Sequence, residues 1–302
     1  MKALAAYIMR GRWQAMIVAA ILALLSLKLP PVSIVSSAAV ALVTLRKGGV
    51  EGLLVLLCSG IVAGFLGFFL LGNYLFALGY GLVLWLPVWA ISIVLREGRR
   101  LSLAFEIAVL LGIAGVVLFY LYQDEPAQVW NAALQQMMAP MLKAPDVPVD
   151  EVKRSIAVFA HYMTGVVAAG SVSGLLLGLL LGRWWQAVLY NPGGFRQEYL
   201  ALGIQPALSF ASIVVVIVAL ASSGIVSEMA WNVTVLLFVL YTFIGTAVLH
   251  VVISSWQAKR YLLPLFYLLI FMIPHTLIPV ALIGLGDTWL NLRNKFSNQS
   301  SA

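Results

Sequence analysis

The sequence predicts an all-α membrane protein: a polytopic transmembrane helix bundle of about eight or nine spans, with one amphipathic helix on its outer face. Three observations lead there. Hydrophobic residues make up 63% of the 302-residue chain and charged residues only 10%, against about 45–50% and about 25% in soluble domains. Mean hydropathy is +1.02. The apolar residues fall into long runs, and about 20 of them in a row suffice for a helix to cross a bilayer. No connection is long enough to bury a core of its own, so a single integral membrane domain over residues 1–302 is expected.

The runs lie at about 13–29, 32–45, 50–72, 74–95, 101–122, 156–181, 206–223, 230–256 and 262–285. Lys2, Arg10 and Arg12 precede the first. No small-x-small cleavage site follows it, so it reads as an uncleaved helix and not as a signal peptide. The second is short, begins after Pro30-Pro31, and either pairs with the first as a hairpin or re-enters. The fourth brings Asn73, Tyr74, Trp85 and Trp89. The last contains Pro264, Pro274 and Pro279, which predict a kink or a break.

Between the fifth and sixth runs lies an outer segment, about 124–155. Asp124 before Glu125-Pro126 opens a helix. Trp130, Ala133, Leu134, Met137, Met138 and Met141 recur at helical spacing, and Pro140 ends the regular part. A second start near Asp146-Val147-Pro148 is expected to run straight into the sixth span. The segment is either an interfacial helix or a lid over an outward-facing cavity.

The net charge of +7 reads as topology, because basic residues stay on the cytoplasmic side. No nucleic-acid partner is expected. A cytoplasmic N-terminus puts Arg46, Lys47, Arg96, Arg99, Arg100, Arg183, Arg196, Lys259 and Arg260 inside. The outer connections then hold Lys28, Lys143, Lys153 and Arg154 together with Asp124, Glu125, Asp146, Asp150, Glu151 and Glu228. Nine full crossings leave Arg293 and Lys295 outside, whereas re-entry of the last segment returns them inside.

Gly170, Gly174, Gly178 and Gly182 recur every four residues in the sixth run. Such a face admits another helix backbone to backbone, either within the bundle or from a partner. Ionisable residues inside spans are functional suspects. Glu106 lies near the start of the fifth run, where it either pairs with Arg99-Arg100 at the interface or belongs to an intramembrane polar site; His275, deepest and in the proline-rich break, is the other candidate for such a site. His161 and His250 read as hydrogen-bonded helix contacts. Three histidines on three helices make no metal site, and no cofactor is expected. The string GSVSG at 170–174 fits no serine-nucleophile pattern, and no Gly-Lys dipeptide marks a phosphate loop. A non-enzymatic role follows.

The densest polar stretch is a cytoplasmic elbow, about 182–205. Arg183 snorkels, Trp184 and Trp185 suit the membrane interface, and Asn191-Pro192-Gly193-Gly194 is a strong turn. Arg196 and Glu198 then open a new helical stretch. An anchor and a turn do not require this whole set, so the elbow is a candidate docking surface for a membrane or cytoplasmic protein. The tail at 284–295 has similar character in Asp287, Trp289 and Arg293.

The elbow GRWWQAVLYNPGGFRQEYLAL and the terminal GLGDTWLNLR resemble the YybS-like family of bacterial membrane proteins, a domain of unknown function, over nearly the whole chain. The family's terminal motif corresponds to Gly284, Asp287, Trp289 and Arg293. That family is similar, distantly, to the substrate-binding components of energy-coupling-factor transporters and to the rod-shape protein MreD. The resemblance implies a bacterial inner-membrane protein that binds or moves a small solute, or else a scaffold of envelope assembly. The chain departs from the transporter components in its greater number of spans and in lacking a clear Ala-x-x-x-Ala coupling pair.

Overall fold

The structure, a computed structural model, describes residues 1–72, 75–143 and 147–297. Asn73, Tyr74 and Asp146 lie outside the described residues. In chain order the helices are α1 (Lys2–Arg10), α2 (Arg12–Leu25), α3 (Val32–Lys47), α4 (Gly49–Leu71), α5 (Leu75–Tyr80), α6 (Leu86–Gly98), α7 (Leu101–Tyr122) and α8 (Pro126–Leu142). They continue as α9 (Val149–Ala160), α10 (Met163–Tyr190), α11 (Gly194–Leu200), α12 (Pro206–Ala221), α13 (Gly224–Ser254), α14 (Lys259–Met272), α15 (Leu277–Leu290) and α16 (Leu292–Ser297). No strand occurs among the described residues.

Five helical stretches are long and apolar enough to cross a membrane: Gly49–Leu70, Leu75–Gly98, Leu101–Tyr122, Met163–Tyr190 and Gly224–Ser254. A sixth span results if Lys259–Met272 and Pro274–Leu290 count as one, although they are bent by 114°. The described residues are thus all-helical, with five or six stretches of the length and apolarity of membrane spans. The other expected crossings fall on α2 (14 residues), α3 (16 residues) and α12 (16 residues). At 1.5 Å per residue these reach about 21–24 Å, short of the roughly 30 Å hydrocarbon core.

The chain divides into two compact units, residues 1–108 with 171–203 and residues 109–170 with 204–302. In the first unit α3 is the central element and packs on α2, α4 and α6. Its residues Ser36 to Leu45 are all buried, which explains why the second apolar run is so rich in Ala and Ser: small side chains let neighbours close in. Ser36 accepts a hydrogen bond from Trp85 Nε1 at 3.1 Å and donates to Ala19 O at 2.8 Å. The π-turn Gly81–Trp85 between α5 and α6 carries this tryptophan, which is fully buried. Trp89 Nε1 donates to Gly49 O at 2.8 Å.

In the second unit α13 packs against α12 and α15. A Cβ on Gly245 would run into the Val280 carbonyl, and one on Gly284 into the Tyr241 carbonyl, so glycines on both helices set this approach. Tyr241 donates to Ser212 Oγ at 2.7 Å. Helices α8 and α9 pack on each other. Helix α8 does not end at Pro140 but continues to Leu142; the proline removes one i→i−4 bond within the last turn, and the helix stops two residues later. The sixth span does not begin as a continuation of α9. His161 and Tyr162 form a turn between α9 and α10.

Candidate functional site

That turn builds the most polar locus of the second unit. It presents His161 to Glu228, five residues into α13, and the two meet at 2.5 Å between Nδ1 and Oε2. An ionised carboxylate only accepts, so Nδ1 carries the proton and Nε2 is left as the second hydrogen-bonding atom. The other Glu228 oxygen accepts from Tyr120 OH at 2.7 Å. Behind them sits Asn232, fully buried. Its Nδ2 lies 2.9 Å from Tyr120 OH, 2.7 Å from His161 O and 2.8 Å from Glu228 O. Its Oδ1 accepts from Gly165 N at 2.5 Å. Gly165 is required here, since a Cβ would stand 2.5 Å from the Asn232 carbonyl. Trp130 Nε1 donates to Thr164 Oγ1 at 2.8 Å and ties α8 to the same region.

A cleft of about 530 Å³ opens beside this network, lined among others by Asp124, Glu125, His161, Ser227, Glu228 and Trp231. Small-molecule sites run to roughly 300–1,000 Å³. Asp124 and Glu125 have no ion-pair partner among the described residues. Two unneutralised carboxylates at the rim, a third held by His161, and an indole wall suit a small solute that carries positive charge and hydrogen-bond donors. Among the described residues no three His, Cys, Asp or Glu side chains come together as a metal site.

The elbow belongs to the first unit and is closed on itself. Arg183 and Glu198 form a two-pronged ion pair, Nε to Oε2 at 2.8 Å and Nη2 to Oε1, and Arg183 Nη1 donates to Gln186 Oε1 at 2.5 Å. Trp185 is fully buried, whereas Trp184 is exposed. Asn191, Pro192 and Gly193 form an exposed turn, with Gly193 at φ 90° ahead of Gly194. Arg196 is exposed. The parts of the elbow open to a partner are therefore Trp184, the turn and Arg196.

The glycine series divides by depth. A Cβ on Gly178 would lie 2.8 Å from Ser37 Cβ, and one on Gly182 2.7 Å from Ala41 Cβ, so these two seat α10 on α3. Gly174 meets only Leu84 at 4.0 Å, and Gly170 meets nothing within 4 Å. Asp287 is buried, pairs with Arg293 at 3.0 Å and accepts from Leu292 N at 2.9 Å, which fastens α16 to α15. Trp289 packs edge-on against Phe210. Glu106 is buried in the first unit. His275 is exposed in the short 3-10 turn Pro274–Thr276 of the second, so the two residues of the expected intramembrane polar site lie in separate units.

The sequence reading passed over Glu228 and Asn232 as parts of a site. The one available signal was an ionisable residue and an amide four apart at the head of a long apolar run. No family model, curated protein or solved structure matches the chain.

Proposed function

We propose that this chain is a multi-pass protein of the bacterial inner membrane, of the YybS-like kind, that binds or helps move a small cationic solute through the cleft beside His161 and Glu228. The single observation that carries the reading is that cleft, lined by Asp124 and Glu125 and backed by the hydrogen bonds that join His161, Glu228 and Tyr120 to the buried Asn232. A concave site with a few convergent polar and charged groups is the usual form of a small-molecule site. The role is binding and not catalysis. The N-terminus is cytoplasmic, and α2, α3 and α12, although shorter than the hydrocarbon core is thick, cross with the five long helices where the bilayer thins around them, which gives eight crossings. The pair α14 and α15 re-enters, because a 114° bend turns the chain back more than it carries it forward. That route also keeps Arg293 and Lys295 on the basic side.

A second reading, a scaffold of envelope assembly, draws on the exposed Trp184, Arg196 and turn of the elbow. Thermal unfolding of the purified protein in mild detergent, read across amine-bearing, neutral and anionic metabolites, separates the two. Stabilisation by cationic compounds that Glu228→Gln and Asp124→Asn each weaken supports the solute site. No stabilisation by any cation, together with co-purification of envelope proteins that Arg196→Ala abolishes, favours the scaffold.

A further inference from the structure

The first unit gathers arginines around the carbonyl end of α3. Arg96 Nη1 donates to Leu45 O at 2.7 Å, and Gln186 Nε2 reaches the same oxygen at 3.2 Å. Arg46 lies over the Tyr190 ring at 4.1 Å. Beside the Leu45 carbonyl is a recess of about 250 Å³ lined by Leu45, Leu95, Arg96, Arg99, Arg183, Gln186 and Glu198. Three guanidiniums thus face one carboxylate. That carboxylate is held by Arg183, and Arg96 is engaged by Leu45 O and by Glu97 at 3.6 Å. Arg99 has no ion-pair partner among the described residues.

The backbone supplies an independent observation. Arg99 ends α6 in the left-handed region, at φ 52°. A helix end in this conformation favours glycine or asparagine, yet glycine stands one position earlier, at Gly98, within the helix. A bulky side chain held in an unfavoured conformation directs attention to what that side chain does. Here it places an uncompensated cation on the wall of a recess whose other two guanidiniums, Arg183 and Arg96, are paired with Glu198 and Glu97.

We propose that this recess binds a phosphate-bearing anion, with Arg99 supplying the decisive charge. Guanidinium forks match phosphate oxygens two at a time, and the volume suits a phosphate group with its first ester substituent, not a whole lipid. The source is either the head of an anionic phospholipid, favoured by the neighbouring Lys47 and Arg100 and by the charge of a cytoplasmic leaflet, or a free phosphorylated solute. The site is separate from the cleft of the second unit, and neither reading depends on the other.

The test uses the full chain in mild detergent. Melting midpoints are measured for wild type, Arg99→Gly and Arg99→Asn, with phosphatidylglycerol against phosphatidylcholine in mixed micelles, and with inorganic phosphate against chloride at constant ionic strength. Wild type is expected to gain several degrees from phosphatidylglycerol or from phosphate, and both variants to lose most of that gain. Both variants tolerate the left-handed backbone, so their baselines should equal or exceed wild type. A response to phosphate alone identifies a free solute; one confined to phosphatidylglycerol identifies the lipid head. No response in wild type, an equal response in all three proteins, or baselines well below wild type in both variants overturns the proposal.

Discussion

His161 Nδ1 and Glu228 Oε2 stand 2.5 Å apart, joining the break between α9 and α10 to the head of α13. The side chain of Glu228 is 17% exposed and that of His161 55%, so the pair has a buried and a wet end. Truncation and neutralisation of Glu228 should therefore differ. Glu228→Gln keeps an acceptor for Tyr120 and should melt near wild type while losing affinity for a cationic solute. Glu228→Ala leaves the Tyr120 hydroxyl without its acceptor and should cost about 1–3 kcal/mol. Thermal unfolding in micelles ranks them, and equal melting of the two variants would contradict a hydrogen-bonded role for the carboxylate.

Glycine substitutions should separate contact from spacing. Gly245→Ala and Gly284→Ala drive a methyl into a facing backbone and should destabilise by roughly 1–3 kcal/mol each. Gly170→Ala meets open space and should be neutral or slightly stabilising, by up to about 1 kcal/mol from helix propensity. Expression level and melting midpoint in detergent check this order. A Gly170→Ala defect as large as the others would point to a partner helix on that face.

In the elbow, Arg183 and Glu198 should be energetically coupled and Arg196 should not. The Arg183 side chain is only 17% exposed, so the pair is better shielded than a surface bridge, and a double-mutant cycle should return about 1 kcal/mol. Arg196→Ala should leave the melting midpoint unchanged. A coupling of zero for the first pair would mean that the elbow is held by Trp185 packing alone.

Re-entry of α14 and α15 predicts that positions on either side of the pair share one face of the membrane. In a Cys58→Ser background, Ala258→Cys and Lys295→Cys should both resist a membrane-impermeant thiol reagent in intact cells and both react after permeabilisation. Labelling of Lys295→Cys alone in intact cells would show a full crossing.

Much of the fold is legible in the residues. Runs of about 20 apolar side chains announce helices, and Pro274 announces the break that separates α14 from α15. A close helix approach is readable in the spacing of Gly178 and Gly182, but not that the helix approached is α3. The break at His161–Tyr162 is not legible, because nothing in AHYMTG forbids a continuous helix. Likewise Trp185 reads as an interface anchor as readily as Trp184, since the two are neighbours with the same chemistry.

The sequence by itself determined that the chain is helical, that it lives in a bilayer, and where its basic residues cluster, because burial in hydrocarbon and backbone satisfaction are local requirements. Only the tertiary structure decided which polar residues share a site. Glu228 reaches His161 across 67 positions and Asn232 reaches Tyr120 across 112, and no local spacing encodes a meeting between helices. The same holds for Arg99, whose recess exists only once residues of α3, α6 and α10 stand together around Leu45. Helix formation answers to neighbours in the chain, whereas site formation answers to neighbours in space.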